Sequence, residues 1–134
     1  MMKYKILEHT ADIKIKIFGK TINELFKNSA IALFSTLTEQ KSKSIKKQSI
    51  ILEAENLEDL LVSWLNELIF LFFTYKFVPA NYSISINQNK LEAKIYGESL
   101  KNLKVNTEVK AATYHNLRIR KNKNGLEANI IFDV

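Results

Sequence analysis

His9-Thr10-Ala11-Asp12-Ile13-Lys14-Ile15-Lys16-Ile17-Phe18 is the stretch on which the reading of this chain turns. From Ile13 onward apolar and basic residues alternate. Ile13, Ile15 and Ile17 fall on one side of an extended chain and Lys14 and Lys16 on the other, the period-two pattern of a strand with one buried face. Residues 3 to 7 also read as a strand, so His9 to Asp12 are expected to turn the chain between two strands. An imidazole and an acid displayed at a turn are candidates for function. An aspartate before a strand also serves as a turn former, its carboxylate bonding nearby backbone N–H groups.

Downstream, Gly19-Lys20 ends the alternation and Thr21-Ile22-Asn23-Glu24 has the form of a capping box. The threonine oxygen is expected to take the glutamate N–H, and the glutamate carboxylate to reach back to the threonine N–H. The helix that starts near Ile22 carries Ile22, Leu25, Phe26, Ala30, Leu33, Phe34 and Leu37 at three- and four-residue spacing, one apolar stripe to lay on a sheet. A lysine-rich loop, Lys41 to Lys47, leads to a short strand at Ser49 to Ala54. Asn56 then offers a cap, with Glu58 and Asp59 in the first turn, where the helix dipole favours negative charge.

The second helix is expected from about Leu57 to Thr74. It is apolar on most of its circumference and must be covered on more than one side; Trp64 within it reads as packing. Pro79 is expected to end that region, and the remainder reads as strands: Tyr82, Ile84 and Ile86 alternate, Asn87 to Lys90 turn, and Leu91, Ala93 and Ile95 alternate again. Strands over Val105 to Tyr114, Leu117 to Lys121 and Leu126 to Phe132 follow, the last two joined through Asn122-Lys123-Asn124-Gly125, a hairpin signal. The order predicts an α+β fold, two helices packed on a largely antiparallel or mixed β-sheet, in one sandwich-like domain spanning residues 1–134.

Composition narrows the function classes. A chain of 134 residues with 46% hydrophobic and 25% charged residues fits one core. It has no cysteine, which excludes a disulfide framework, a thiolate zinc site and a thiol nucleophile and agrees with a reducing compartment. The start Met1-Met2-Lys3-Tyr4-Lys5 has no signal-peptide core. The apolar region from Leu57 to Phe73 is interrupted by Glu58, Asp59, Ser63, Asn66 and Glu67, and falls short of the roughly 20 apolar residues of a membrane span. A cytoplasmic protein without a membrane partner is therefore expected. The net charge of +6 favours acidic partners at long range. Only Arg118 and Arg120 are arginines, however, and a surface of spread lysines reads first as solvation, so direct, specific nucleic-acid binding is not the leading expectation.

No glycine-rich phosphate loop, His-Glu-x-x-His pair or elbow serine is present. His9 and His115 each read first as hydrogen-bonded structural residues. The oxygen-rich feature is the last stretch, Ile131-Phe132-Asp133-Val134, where the Asp133 carboxylate lies one residue from a terminal carboxylate on Val134. Two anions that close repel unless a cation or donor sits between them. If Asp12 comes alongside, the convergent oxygens suit a hard cation such as calcium or magnesium, with water completing the shell. Spacing alone leaves the other reading open, in which Asp133 is an exposed end.

Taken together, Glu8-His9-Thr10-Ala11-Asp12, Gly19-Lys20-Thr21 with Glu24-Leu25-Phe26, Leu60-Leu61-Val62 through Trp64-Leu65-Asn66-Glu67-Leu68, Thr107-Glu108-Val109-Lys110-Ala111-Ala112-Thr113-Tyr114-His115 and Ile131-Phe132-Asp133-Val134 resemble the archease family over essentially the whole chain. The resemblance implies an accessory factor without catalytic residues of its own. Such a factor activates the GTP-dependent tRNA-splicing RNA ligase, promoting its guanylylation and multiple turnover, and meets tRNA indirectly through the ligase. It also implies that Asp12 and Asp133 bind a divalent metal ion (calcium, or magnesium or manganese), with Val134 supplying further oxygen. For His9, Lys110 and His115 it implies structural support or partner contact. Two positions depart from the family pattern: Lys14 stands where a glycine is common, and Gly125-Leu126 where a Gly-Trp pair is common. The rival expectations are an RNA-binding or chaperone-like modulator of a tRNA-modifying enzyme and a metal-dependent phosphoesterase.

Overall fold

The computed structural model describes residues 2–9 and 12–134. The expected turn through Thr10 and Ala11, and any role for the His9 side chain, lie outside the described residues. The elements, in order, are β1 (Tyr4–His9), β2 (Asp12–Gly19), α1 (Ile22–Leu37), β3 (Lys46–Glu53), α2 (Leu57–Tyr75), β4 (Phe77–Asn87), β5 (Lys90–Ser99), β6 (Ala111–Thr113), β7 (Ile119–Asn122) and β8 (Gly125–Asp133).

Two helices and antiparallel strands form the expected α+β fold, with the strands divided between two sheets. The first has the order β1-β2-β8-β6, with β7 also pairing β8; the second has the order β3-β5-β4. Both helices touch both sheets, and the alternation read in β2 explains the arrangement. Ile13, Ile15 and Ile17 are buried and stand opposite Phe132, Ile130 and Ala128 of β8, which are buried as well. Burying each of the larger side chains contributes roughly 1.5–3 kcal/mol. A register slip by one residue would turn the whole row to solvent, so the pairing is closely specified.

The helix caps follow the sequence with one difference. Thr21 Oγ1 accepts from the Glu24 N–H at 3.2 Å, whereas the Glu24 carboxylate accepts from the Lys20 N–H at 3.0 Å, one residue earlier than expected. Asn56 Oδ1 accepts from the Asp59 N–H at 2.8 Å and opens α2. That helix ends at Lys76, which adopts a left-handed conformation (φ 56°), so Pro79 does not terminate it. Pro79 lies inside β4, an edge strand, where its register with β5 shifts; an edge tolerates a residue without an N–H. Trp64 is fully buried, and its Nε1 donates to the Phe26 carbonyl at 3.0 Å, tying α2 to α1.

The strand expected over Val105 to Tyr114 is present only at Ala111–Thr113. Its first half is an irregular segment whose polar groups are bonded to the end of α1 instead: the Asn106 N–H donates to the Leu37 carbonyl, and Thr38 Oγ1 donates to the Lys104 carbonyl. The β7–β8 hairpin forms, with Asn122 opposite Gly125. Gly125 has a φ of 141°, and a Cβ there would collide with the Gly19 carbonyl. That close approach requires glycine.

Candidate metal centre

Strand β8 is the centre of its sheet, with β2 along one side and β6 and β7 along the other. Its last paired residue, Asp133, is directly opposite Asp12, the first residue of β2. Directly opposed residues of an antiparallel pair project from the same face, with Cβ atoms about 5 Å apart. Ile13 and Phe132, the adjacent pair, point into the core, so Asp12 and Asp133 share the outer face, and both are exposed. The two acids read from opposite ends of the sequence are neighbours. Val134 follows Asp133 and packs partly buried at the edge of the core.

The end of β8 is held from its other side by β6. Ala111 stands opposite Asp133, and the Lys110 N–H donates to the Asp133 carbonyl at 2.8 Å. Lys110 is exposed and contributes here through its backbone. His115 is exposed in the turn after β6, where its Nε2 lies 3.2 Å from Asn116 Nδ2, on the side of β6 away from the acids. Lys14 lies on the outer face two residues from Asp12, opposite Ile131.

Two exposed carboxylates side by side are hard oxygen donors, which fit calcium, magnesium or manganese. The ion pairs among the described residues, Lys16–Glu127 at 3.4 Å and Lys90–Glu92 at 3.9 Å, involve neither aspartate. Among the described residues no group of three or more histidine, cysteine, aspartate or glutamate side chains converges. Among the described residues the side-chain donors here are the two aspartates.

A separate cavity of about 580 Å³ opens at the start of α1, lined in part by Lys3, Lys20, Lys27 and Tyr82. Burial raises the Tyr82 hydroxyl well above its ordinary value. This basic hollow contains neither Asp12 nor Asp133. No helix among the described residues is long and apolar enough to cross a membrane.

One polar contact near the acids was not legible in advance. Asn66, in the largely apolar α2, meets Ala112 of β6 with both ends of its amide: Oδ1 accepts from the Ala112 N–H at 2.8 Å, and Nδ2 donates to the Ala112 carbonyl at 3.4 Å. The available signal was the interruption of an apolar helix by a single carboxamide.

The sequence pattern of the archease protein family matches residues 4–134. An archease of Methanosarcina barkeri is 36% identical over 140 residues, covering 98% of this chain and 96% of the relative. One from Saccharolobus islandicus is 36% identical with full coverage of both chains. The solution structure of a Methanobacterium thermoautotrophicum protein superposes with a TM-score of 0.87 at 26% identity, covering all of both chains. A Thermotoga maritima crystal structure, described as an archease and "possible chaperone", superposes with a TM-score of 0.72 at 25% identity, covering 97% of this chain and 96% of that one.

Proposed function

The chain belongs to the archease family, and on that premise we propose that it is an accessory factor of the GTP-dependent tRNA-splicing RNA ligase. It promotes guanylylation of the ligase and its repeated turnover in the cytoplasm, and it meets tRNA through the ligase. The observation that supports this reading most directly is the register of β2 and β8, which sets Asp12 opposite Asp133 on an exposed face.

In this reading the carboxylates of Asp12 and Asp133 hold a divalent cation, with Val134 supplying further oxygen. When bound, the cation supplies positive charge that offsets the negative charge of phosphate groups handled by the partner. The chain's own part is to hold two like charges side by side on a rigid sheet, where they are available to a partner's surface. Lys14, on the same face, brings a positive charge beside the pair and limits their mutual repulsion.

The test adds substoichiometric protein to its cognate ligase with RNA ends and GTP. Turnover is expected to rise, and the rise to be lost with Asp12→Ala and with Asp133→Ala. No rise, or an undiminished rise with both variants, would overturn the reading. Metal-dependent cleavage of RNA or nucleotides by the purified protein alone would replace it with a hydrolytic one.

A further inference from the structure

Strand β6 has three residues and, among the described residues, pairs with β8 alone, at Ala111 to Asp133, Ala112 to Phe132 and Thr113 to Ile131. It is bounded by the irregular segment before it and, after it, by a turn in which Asn116 has a φ of 54° and the Leu117 N–H donates to the Tyr114 carbonyl. A pairing so short contributes little by itself. Its other edge would leave unpaired N–H and C=O groups, and α2 closes that edge. The Asn66 amide takes both backbone groups of Ala112, as a neighbouring strand would. About two turns earlier on the same helix, the Glu58 carboxylate accepts from the Ile119 N–H of β7 at 3.1 Å.

We propose that Asn66 is a positioning residue for the acid pair: by clasping Ala112 it holds β6 against the end of β8 and so fixes where Asp133 and Val134 present their oxygens. The proposal rests on the cation reading above. The residue type supports it. Asparagine is a poor helix former, and α2 is otherwise apolar on most of its faces, yet this side chain offers a donor and an acceptor at the spacing of one residue's N–H and C=O. Aspartate has the same shape but no donor, and it would set a charge against the Ala112 carbonyl. Leucine keeps the volume and leaves both backbone groups without a partner, a costly state for part-buried polar groups.

The effect reaches the acids through a short path. Ala112 lies one residue from Ala111, which stands opposite Asp133, and two residues from Lys110, whose N–H is bonded to the Asp133 carbonyl. Releasing β6 leaves the end of β8 held by β2 alone. The acids would still lie side by side but with one of them on a fraying edge. Groups that orient ligands without touching the metal are typically worth about 10- to 100-fold in metal affinity.

The experiment compares the wild type with Asn66→Asp, Asn66→Leu and, as a control on the other clasp, Glu58→Gln. Backbone amide exchange is followed without metal, and manganese or calcium binding is measured by titration. In both Asn66 variants the amides of residues 110–113, Asp133 and Val134 are expected to exchange at least about tenfold faster while those of α2 and β5 are unchanged. Cation affinity is expected to fall about tenfold. Glu58→Gln is expected to loosen β7 and leave both Asp133 and the affinity as they are.

Unchanged exchange at Asp133 and Val134 in the Asn66 variants overturns the proposal, as does faster exchange with unchanged affinity, or an equal loss of affinity in Glu58→Gln. If Asn66→Leu fails to fold, Asn66→Asp, with the same shape, carries the comparison. If the wild type itself binds no cation, the cation reading falls, and the exchange data alone decide whether Asn66 positions the end of β8.

Discussion

Replacing Asp133 by asparagine should make the protein more stable without metal and less stable with it. The Asp12 and Asp133 side chains project from one face at opposed positions, both exposed, so water sets the dielectric between them. Two unit charges roughly 6 Å apart in water repel by about 0.7 kcal/mol. Salt at about 0.15 M, with its Debye length of about 8 Å, removes around half of this. Lys14 on the same face offsets part of this repulsion, so in a chelating buffer of low ionic strength Asp133→Asn is expected to melt above the wild type by at most about 2–3 °C.

Adding cation to a hundred times its dissociation constant stabilises the wild type by about 2.7 kcal/mol. If the variant binds a hundredfold more weakly, the same concentration stabilises it by about 0.4 kcal/mol. The order then reverses, and after the relief of repulsion is subtracted the wild type leads by about 1.5 kcal/mol. Thermal denaturation of both proteins, with chelator and then with manganese or calcium at constant ionic strength, reads both halves. A variant that keeps the same rank in both buffers would refute the reasoning, because the repulsion and the shared cation both follow from one geometry. Asn at 133 retains the backbone pairing with β2, so a general loss of folding is not expected to mimic the reversal.

Trp64→Phe removes the donor to the buried Phe26 carbonyl and some of the volume between the helices. A loss of roughly 2–4 kcal/mol is expected from the stranded acceptor and the unfilled space, read as a lowered urea midpoint at unchanged slope; a loss of under about 1 kcal/mol would mean that the carbonyl finds another partner. Tyr82 gives an alkaline signature. Its hydroxyl is raised by burial from the ordinary 10.0, so below pH 10 both folded and unfolded chains keep the proton, and above it the unfolded chain loses the proton first. Stability should fall as pH rises past 10 by up to about 1.4 kcal/mol per pH unit from this group, and Tyr82→Phe should remove that part of the fall. Equal losses between pH 9 and pH 11 in both proteins would show that the hydroxyl titrates freely when folded.

Local patterns in the sequence carried far into this fold because each was enforced by burial. The isoleucines of β2 and the alternating residues of β4 and β5 have one face toward the core, and the caps at Thr21 and Asn56 satisfy N–H groups that otherwise have no partner. The segment around Val105 departs from a strand for a physical reason: its residues alternate acceptably, but the Asn106 N–H and the Lys104 carbonyl bond to the end of α1, a partner remote in sequence. Pro79 looked like a stop because its missing N–H is a penalty inside a sheet, and the penalty vanishes on the edge that β4 occupies. The division into two sheets left no trace in periodicity, since a strand's pattern records which face is buried and not which neighbour it has. The acid pair was legible only as two motifs at opposite ends, and its adjacency belongs to topology. Asn66 stands out in the sequence as a carboxamide in an apolar helix, but its partner does not, because what it clasps is a strand some 46 residues away.

The pairing of β2 with β8 has a bearing on the order in which the molecule can be made. Every rung of that ladder joins residues more than a hundred positions apart, from Gly19 with Leu126 to Asp12 with Asp133, whereas β4 and β5 are joined through a tight hairpin and need only local encounters. Contacts of such long range incur their loop-closure entropy before they return any burial, which slows folding and defers them. A chain with the second sheet and both helices in place, but with its ends not yet joined, has most of its secondary structure and no acid pair at all. The two aspartates come together only when β2 pairs with β8, so the acid pair exists in the closed sheet and not in a chain whose two end strands are still apart.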